Sequence, residues 1–280
     1  MNRREFLISG SIVAGYALAA KPVLATAIRT PETGLATGIV EIPVSDGGMP
    51  AYFAVPEAAT ARPLALVVHE IFGVHEYIRD VTRRLARAGY FAIAPDLYQR
   101  QGDVSKLDSV KQILAEIVTQ VPDEQVMADL DATRAFARQD GRANASRSVI
   151  TGFCWGGRIV WLYSAHAPDI AAGTAWYGRL VGDARPQTPR HPVDIAGEEH
   201  APVLGLYGTE DAGIPLASVE KMRRLSAAAG DGSEIILFPG APHGFHADYR
   251  GSYREMPASE GWRRMLEWFG KHGATAQPVG

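Results

Sequence analysis

The sequence predicts a single α/β domain, a mostly parallel β-sheet with helices on both faces. Short apolar runs alternate with stretches whose apolar residues recur at helical spacing, the pattern of strands each followed by a covering helix. One run, Leu64–Val68, is apolar without a break, which suits a strand buried on both faces rather than one with a wet side. The chain has 280 residues, 46% hydrophobic and 21% charged, enough for one large core and a size that α/β folds commonly reach as one unit.

The order opens with two alternating runs, Ile39–Val44 and Ala51–Val55, joined through Asp46-Gly47-Gly48, a hairpin connection. After Leu64–Val68, Tyr77, Ile78, Val81, Leu85 and Ala88 recur at helical spacing, and Gly89 supplies the stop. Tyr90–Ala94 is a strand ended by Pro95, and Val110–Val118 reads as a helix. Another helix starts at Pro122-Asp123-Glu124, with acid in the first turn where the helix dipole favours it. Ser148–Thr151, Ala172–Tyr177, Val203–Tyr207 and Glu234–Phe238 are strands, and Pro215 begins a helix that runs to about Ala229. A closing helix presents Trp262, Met265, Leu266 and Phe269 on one face. Gly178–Ala201, with three prolines and few apolar residues, reads as a surface excursion.

The formal net charge is −3, and no dense basic stripe offers phosphates a partner, so nucleic acid is not expected. A single cysteine makes neither an internal disulfide nor a cysteine-rich zinc site. Arg3-Arg4, an uncharged run from Phe6 to Ala20, Lys21 and the small-x-small exit Ala25-Thr26-Ala27 read as a secretory leader. The arginine pair before Glu5-Phe6-Leu7 resembles a twin-arginine export signal, so the expected division is a leader over residues 1–27 and a domain over residues 28–280. That implies the twin-arginine export machinery as a partner and a periplasmic or secreted location after cleavage. The apolar run falls short of the ~20 residues that span a bilayer, so no stable membrane anchor is expected and an uncleaved anchor is the second reading.

Chemistry concentrates at Gly152-Phe153-Cys154-Trp155-Gly156-Gly157, between a strand and a helical run. This is a glycine-x-nucleophile-x-glycine elbow with cysteine as the nucleophile. A side chain there stands at a helix N-terminus, where unpaired N–H groups and the dipole favour a thiolate. A thiolate needs a base and the base needs an orienter. The loop after Val203–Tyr207 offers Glu210 and Asp211 as acids, and the loop after Glu234–Phe238 offers His243 among Pro239, Gly240, Pro242 and Gly244. His69, His166, His191, His200 and His272 carry nothing that separates them from solvent-exposed histidines. His243 with His246 lacks a third ligand, so no metal is expected.

The chain resembles the dienelactone hydrolases from about Ile39 to Phe269. The motifs that carry the resemblance are His69-Glu70-Ile71-Phe72-Gly73, Pro95-Asp96-Leu97-Tyr98, the cysteine elbow, Gly208–Asp211 and His243-Gly244-Phe245. The resemblance implies an α/β-hydrolase fold without a cofactor and a Cys-His-Asp triad of Cys154, His243 and Asp211, the acid falling three positions after Gly208. It makes Glu70 the group that binds the resting thiol and then activates it. Burial at the end of an apolar run is expected to raise the pKa of Glu70. The backbone N–H groups of Trp155 and Ile71 would form the oxyanion hole. Of the family's two substrate-binding arginines one matches Arg100. The other falls on Ala247, and Arg250 lies close enough in sequence to take its place. The expected activity is hydrolysis of a small-molecule lactone or carboxylic ester through a cysteine acyl-enzyme. The alternatives are a broader carboxylesterase or thioesterase, and a non-catalytic binding protein on the same fold.

Overall fold

The computed structural model describes residues 27–278, so the leader read over residues 1–27 lies outside the described residues, Ala27 excepted. Among the described residues no helix is long and apolar enough to cross a membrane.

The hairpin forms from β1 (Leu35–Val44) and β2 (Gly47–Pro56), paired antiparallel along their whole length with Val44 opposite Gly47. Then come β3 (Arg62–Val68), α1 (Glu76–Arg87), β4 (Phe91–Pro95), α2 (Asp123–Arg138), β5 (Ala143–Phe153) and α3 (Trp155–His166). β6 (Ala172–Trp176), β7 (Val203–Gly208), α4 (Leu216–Ala229), β8 (Glu234–Phe238) and α5 (Glu255–Lys271) complete the chain. All eight strands join one sheet in the order β1-β2-β4-β3-β5-β6-β7-β8. Pairing is antiparallel from β1 through β2 to β4 and parallel from β4 across to β8. β3 lies between β4 and β5, and every residue from Pro63 to Val68 is buried, as its unbroken apolar run predicts for a strand covered on both faces.

Three expectations are corrected. Val110–Val118 is not one α-helix: a short α-turn capped by Ser109 widens into a π-turn at Ile113–Ile117, and the segment closes as a 3₁₀ turn at Val118–Gln120. Gly178–Ala201 is anchored rather than loose. Leu180, His191, Pro192 and Ile195 are buried, and Arg158 of α3 holds the segment through the Arg190 carbonyl at 2.7 Å and the His191 ring at 3.3 Å. The buried stripe of α5 is Ala258, Gly261, Met265, Trp268 and Phe269, rotated from the face expected, with Trp262 and Leu266 at its margin.

The parallel strands all end on the same side of the sheet, where ligand sites of such sheets form. The loops after β3, β5, β7 and β8 carry Glu70, Cys154, Asp211 and His243 to that edge.

Candidate active site

Cys154 caps α3 immediately after β5, with φ 57° and ψ −112°. This backbone lies in a region that side-chain-bearing residues seldom occupy, and such strain persists only where the surroundings impose it. The neighbours show what does so. A Cβ on Gly152 would stand 2.3 Å from the Gly156 carbonyl oxygen, and one on Gly156 would stand 2.4 Å from that of Val68. Strand, elbow and helix approach too closely for any side chain at either position.

The imidazole of His243 lies beside Cys154 on one side. On the other side its Nδ1 lies 2.7 Å from Asp211 Oδ2. Asp211 is itself fixed, since its Oδ1 accepts the N–H groups of Gly213 at 2.8 Å and Ile214 at 3.1 Å. Glu210, the other acid of that loop, is exposed. Burial alone would lower the pKa of His243, but the Asp211 carboxylate and Cys154 beside it raise it to about 10. The ring is therefore cationic at neutral pH, with the Asp211 carboxylate on one side and the Cys154 sulfur on the other. Tyr177, held at φ 39°, packs edge-on against the same ring.

Glu70 is fully buried, but the expected rise in its pKa is overturned. Its Oε2 accepts the Tyr249 hydroxyl at 2.7 Å and an Arg250 N–H at 3.2 Å, and His75 Nε2 lies 3.5 Å away. Burial pushes toward the neutral acid, yet the Arg250 guanidinium and His75 outweigh it and hold the pKa near 2. Oε1 is buried with no hydrogen-bond partner among the described residues. Arg250 reaches this place through consecutive turns in which Ala247 N–H bonds the Gly244 carbonyl and Arg250 N–H bonds that of Ala247. Its guanidinium also covers the rings of Phe72 and Tyr249 at 4.7 and 4.9 Å.

Because the folded-state pKa of Glu70 lies below its ordinary value, its contribution to stability is complete above about pH 4.5 and is lost as the pH falls toward 2. Urea unfolding midpoints at pH 6 and pH 3 should therefore converge in Glu70→Gln relative to the unsubstituted chain. An equal acid loss in both proteins would place the sensitivity elsewhere.

Arg100 is not brought to this cluster. It forms a bidentate pair with the buried Asp129, at 2.6 and 3.0 Å, and its Nε bonds Asp46. Two carboxylates thus occupy the guanidinium that was expected to clamp a substrate. Arg100→Ala should leave the ratio of kcat/KM between a carboxylate-bearing lactone and a neutral aryl ester unchanged, and should cost about 1–3 kcal/mol by leaving Asp129 unpaired. A tenfold change in that ratio would restore the clamp.

The amides of Ile71 and Trp155 donate to no acceptor among the described residues. Beside the cluster lies a cavity of about 510 Å³ whose wall includes Phe72, His75, Arg79, Asp96 and Tyr98, while Cys154 itself is only 1% exposed. His246 does not join His243. Its Nδ1 lies 2.7 Å from the Tyr77 hydroxyl, its ring stacks on Trp262, and burial next to Arg84 lowers its pKa to about 3. Sequence reasoning missed His75, Tyr177 and Tyr249. Only the adjacency of Tyr249 to Arg250 hinted at any of them.

The model of the dienelactone hydrolase family matches residues 49–273. The chain belongs to this family. A Methylorubrum extorquens protein named "Putative carboxymethylenebutenolidase" is 55% identical over 271 residues, which are 96% of this chain and 93% of that one. A Salmonella typhimurium protein of the same name is 52% identical over 260 residues, covering 92% and 96%. Among solved structures, a "Putative Dienelactone Hydrolase" from Klebsiella pneumoniae superposes with a TM-score of 0.83 at 52% identity, covering 85% of this chain and 99% of that one. As a family member the chain is a hydrolase on the α/β-hydrolase fold, and the family implies a small-molecule substrate.

Proposed function

We propose that this hydrolase cleaves a lactone or carboxylic ester through an acyl-thioester on Cys154. The observation that carries the reading is the line Cys154–His243–Asp211, with the nucleophile on a strained helix-capping turn and the base locked onto a buried acid. The thiolate attacks the ester carbonyl, and the electron pair of the C=O bond moves to oxygen, where the Ile71 and Trp155 N–H groups receive it. His243 gives its proton to the departing alkoxide, which in a lactone remains tethered to the acyl group. A water, losing its proton to His243, then attacks the thioester. Collapse releases the acid and returns the thiolate–imidazolium pair. Asp211 keeps Nδ1–H in place throughout and balances the ring's charge.

Glu70 enters differently from the role its family suggests. A carboxylate with a pKa near 2 is a poor proton acceptor, so the proton work falls to His243. Glu70 instead holds Arg250, whose positive charge lies close enough to Cys154 to feel it. A broader carboxylesterase or thioesterase activity is the second reading. Two observations favour it: Arg100 is engaged elsewhere and a buried alanine stands at position 247.

A panel of lactones, aryl esters and thioesters, quenched in acid within the first turnovers, tests the proposal. Substrates that are hydrolysed should leave an acyl mass on the peptide containing Cys154. Turnover with no adduct on that peptide at any quench time would sink it.

A further inference from the structure

We propose that His69 is a positioning residue for the oxyanion hole, aiming and polarising the Ile71 N–H while bracing Trp155. The inference rests on the acyl-transfer reading above. His69 follows the last residue of β3 and is fully buried. Its Nε2 accepts the Leu97 N–H at 3.2 Å, so this nitrogen carries no proton and the ring's proton is on Nδ1. Nδ1–H in turn donates to the Glu70 carbonyl oxygen at 2.7 Å. Two backbone partners therefore determine the tautomer. Burial, opposed by Asp96, keeps the ring's pKa below its ordinary value and so keeps it neutral.

The carbonyl that His69 holds belongs to the same peptide unit as the Ile71 N–H. No peptide bond among the described residues is cis, and in a planar trans unit the C=O and N–H point in opposite directions. Fixing the oxygen therefore fixes the direction of the hydrogen. A bond accepted at the carbonyl also withdraws charge from the nitrogen and strengthens the N–H as a donor. The other contact on that oxygen, from Gly73 N–H, is longer at 3.4 Å.

The opposite face of the site is reached by the same ring. His69 stacks on Trp155 with centroids 5.3 Å apart and planes 17° apart, and it meets Tyr98 edge-on at 4.5 Å. One imidazole thus joins the loop that carries Ile71, the elbow that carries Trp155 and the segment after β4.

The test compares His69→Phe, which keeps a stacking ring and loses both hydrogen bonds, with His69→Gln, whose amide keeps a donor and an acceptor. Three quantities are read: kcat and KM for an aryl ester, the inhibition constant of a trifluoromethyl ketone, and the rate of Cys154 alkylation by iodoacetamide. The ketone forms an oxyanion and the alkylation does not. His69→Phe should lower kcat roughly 10- to 100-fold, less than the 10²–10³ of removing a donor outright. KM should hold, and ketone affinity should weaken by a similar factor. Alkylation should proceed at the unsubstituted rate, and His69→Gln should recover most of kcat. Should His69→Phe not fold, His69→Met carries the same comparison. The assignment is overturned if ketone affinity is unchanged, if alkylation falls in step with kcat, or if His69→Gln is no better than the apolar variant. If the unsubstituted enzyme stays active after its Cys154 is alkylated, the acyl-thioester reading falls and His69 with it. If alkylation abolishes activity but the ketone binds all variants alike, only the assignment of His69 falls.

Discussion

Cys154→Ala is expected to reduce kcat/KM for ester or lactone hydrolysis by about 10⁴-fold or more, the loss seen when a nucleophile that works as part of a unit is removed. The fold should be untouched. Alanine is small, and the turn's φ of 57° is imposed by the close approach of Gly152 to Gly156 and of Gly156 to Val68 rather than by the cysteine side chain. Cys154→Ser should fall between the two, nearer the alanine variant. A hydroxyl must surrender its proton during attack, and a His243 ring kept protonated at neutral pH has no capacity to take it. Steady-state rates on one aryl ester and one lactone, with thermal unfolding as the control for folding, provide the measurement. An alanine variant with more than a hundredth of the original rate would remove Cys154 from the mechanism.

Arg250→Met is expected to destabilise the protein by about 3–5 kcal/mol, because it strands the Glu70 carboxylate in the interior. At roughly 2–4 °C per kcal/mol for a chain of this size, the unfolding temperature should drop by on the order of 10 °C. Glu70 is fully buried and Arg250 nearly so, which leaves little water to compensate either charge. Most of the loss should return in Glu70→Gln/Arg250→Met, since removing both charges removes the stranded one. The double-mutant cycle isolates their coupling. A single substitution that costs less than about 1 kcal/mol, with no coupling to Glu70, would mean that Tyr249 and His75 satisfy the carboxylate without the arginine.

The part of this protein that was legible in the sequence is the part governed by local chemistry. The period of apolar residues marks β3 as a fully covered strand and the hairpin as a half-covered one, because which faces meet the core is a matter of neighbouring positions. The elbow is legible for a stricter reason. At Gly152 and Gly156 the backbones are too close for any Cβ, so the spacing of the glycines around Cys154 reports the turn directly. That Cys154, Asp211 and His243 each follow a strand of the parallel sheet is what places all three at one edge, while their order along the chain is what the resemblance to the family implies.

Only the tertiary structure decided what each charge and each imidazole does. Glu70 was expected to be a carboxylate weakened by burial, and Arg250, far along the chain, made it a strong acid instead. Arg100 was expected to face substrate, and Asp46 and Asp129 from two other segments took it. His69 was indistinguishable from a surface histidine, yet it lies in the interior between Trp155 and Tyr98 with both nitrogens bonded to backbone. The physical reason is common to all three. A side chain's protonation and direction depend on charges and dipoles within a few ångströms, and here those come from residues that only the completed sheet brings together. Sequence pattern determines which segments fold into strands and turns, and long-range contact determines the electrostatic state of the groups they carry.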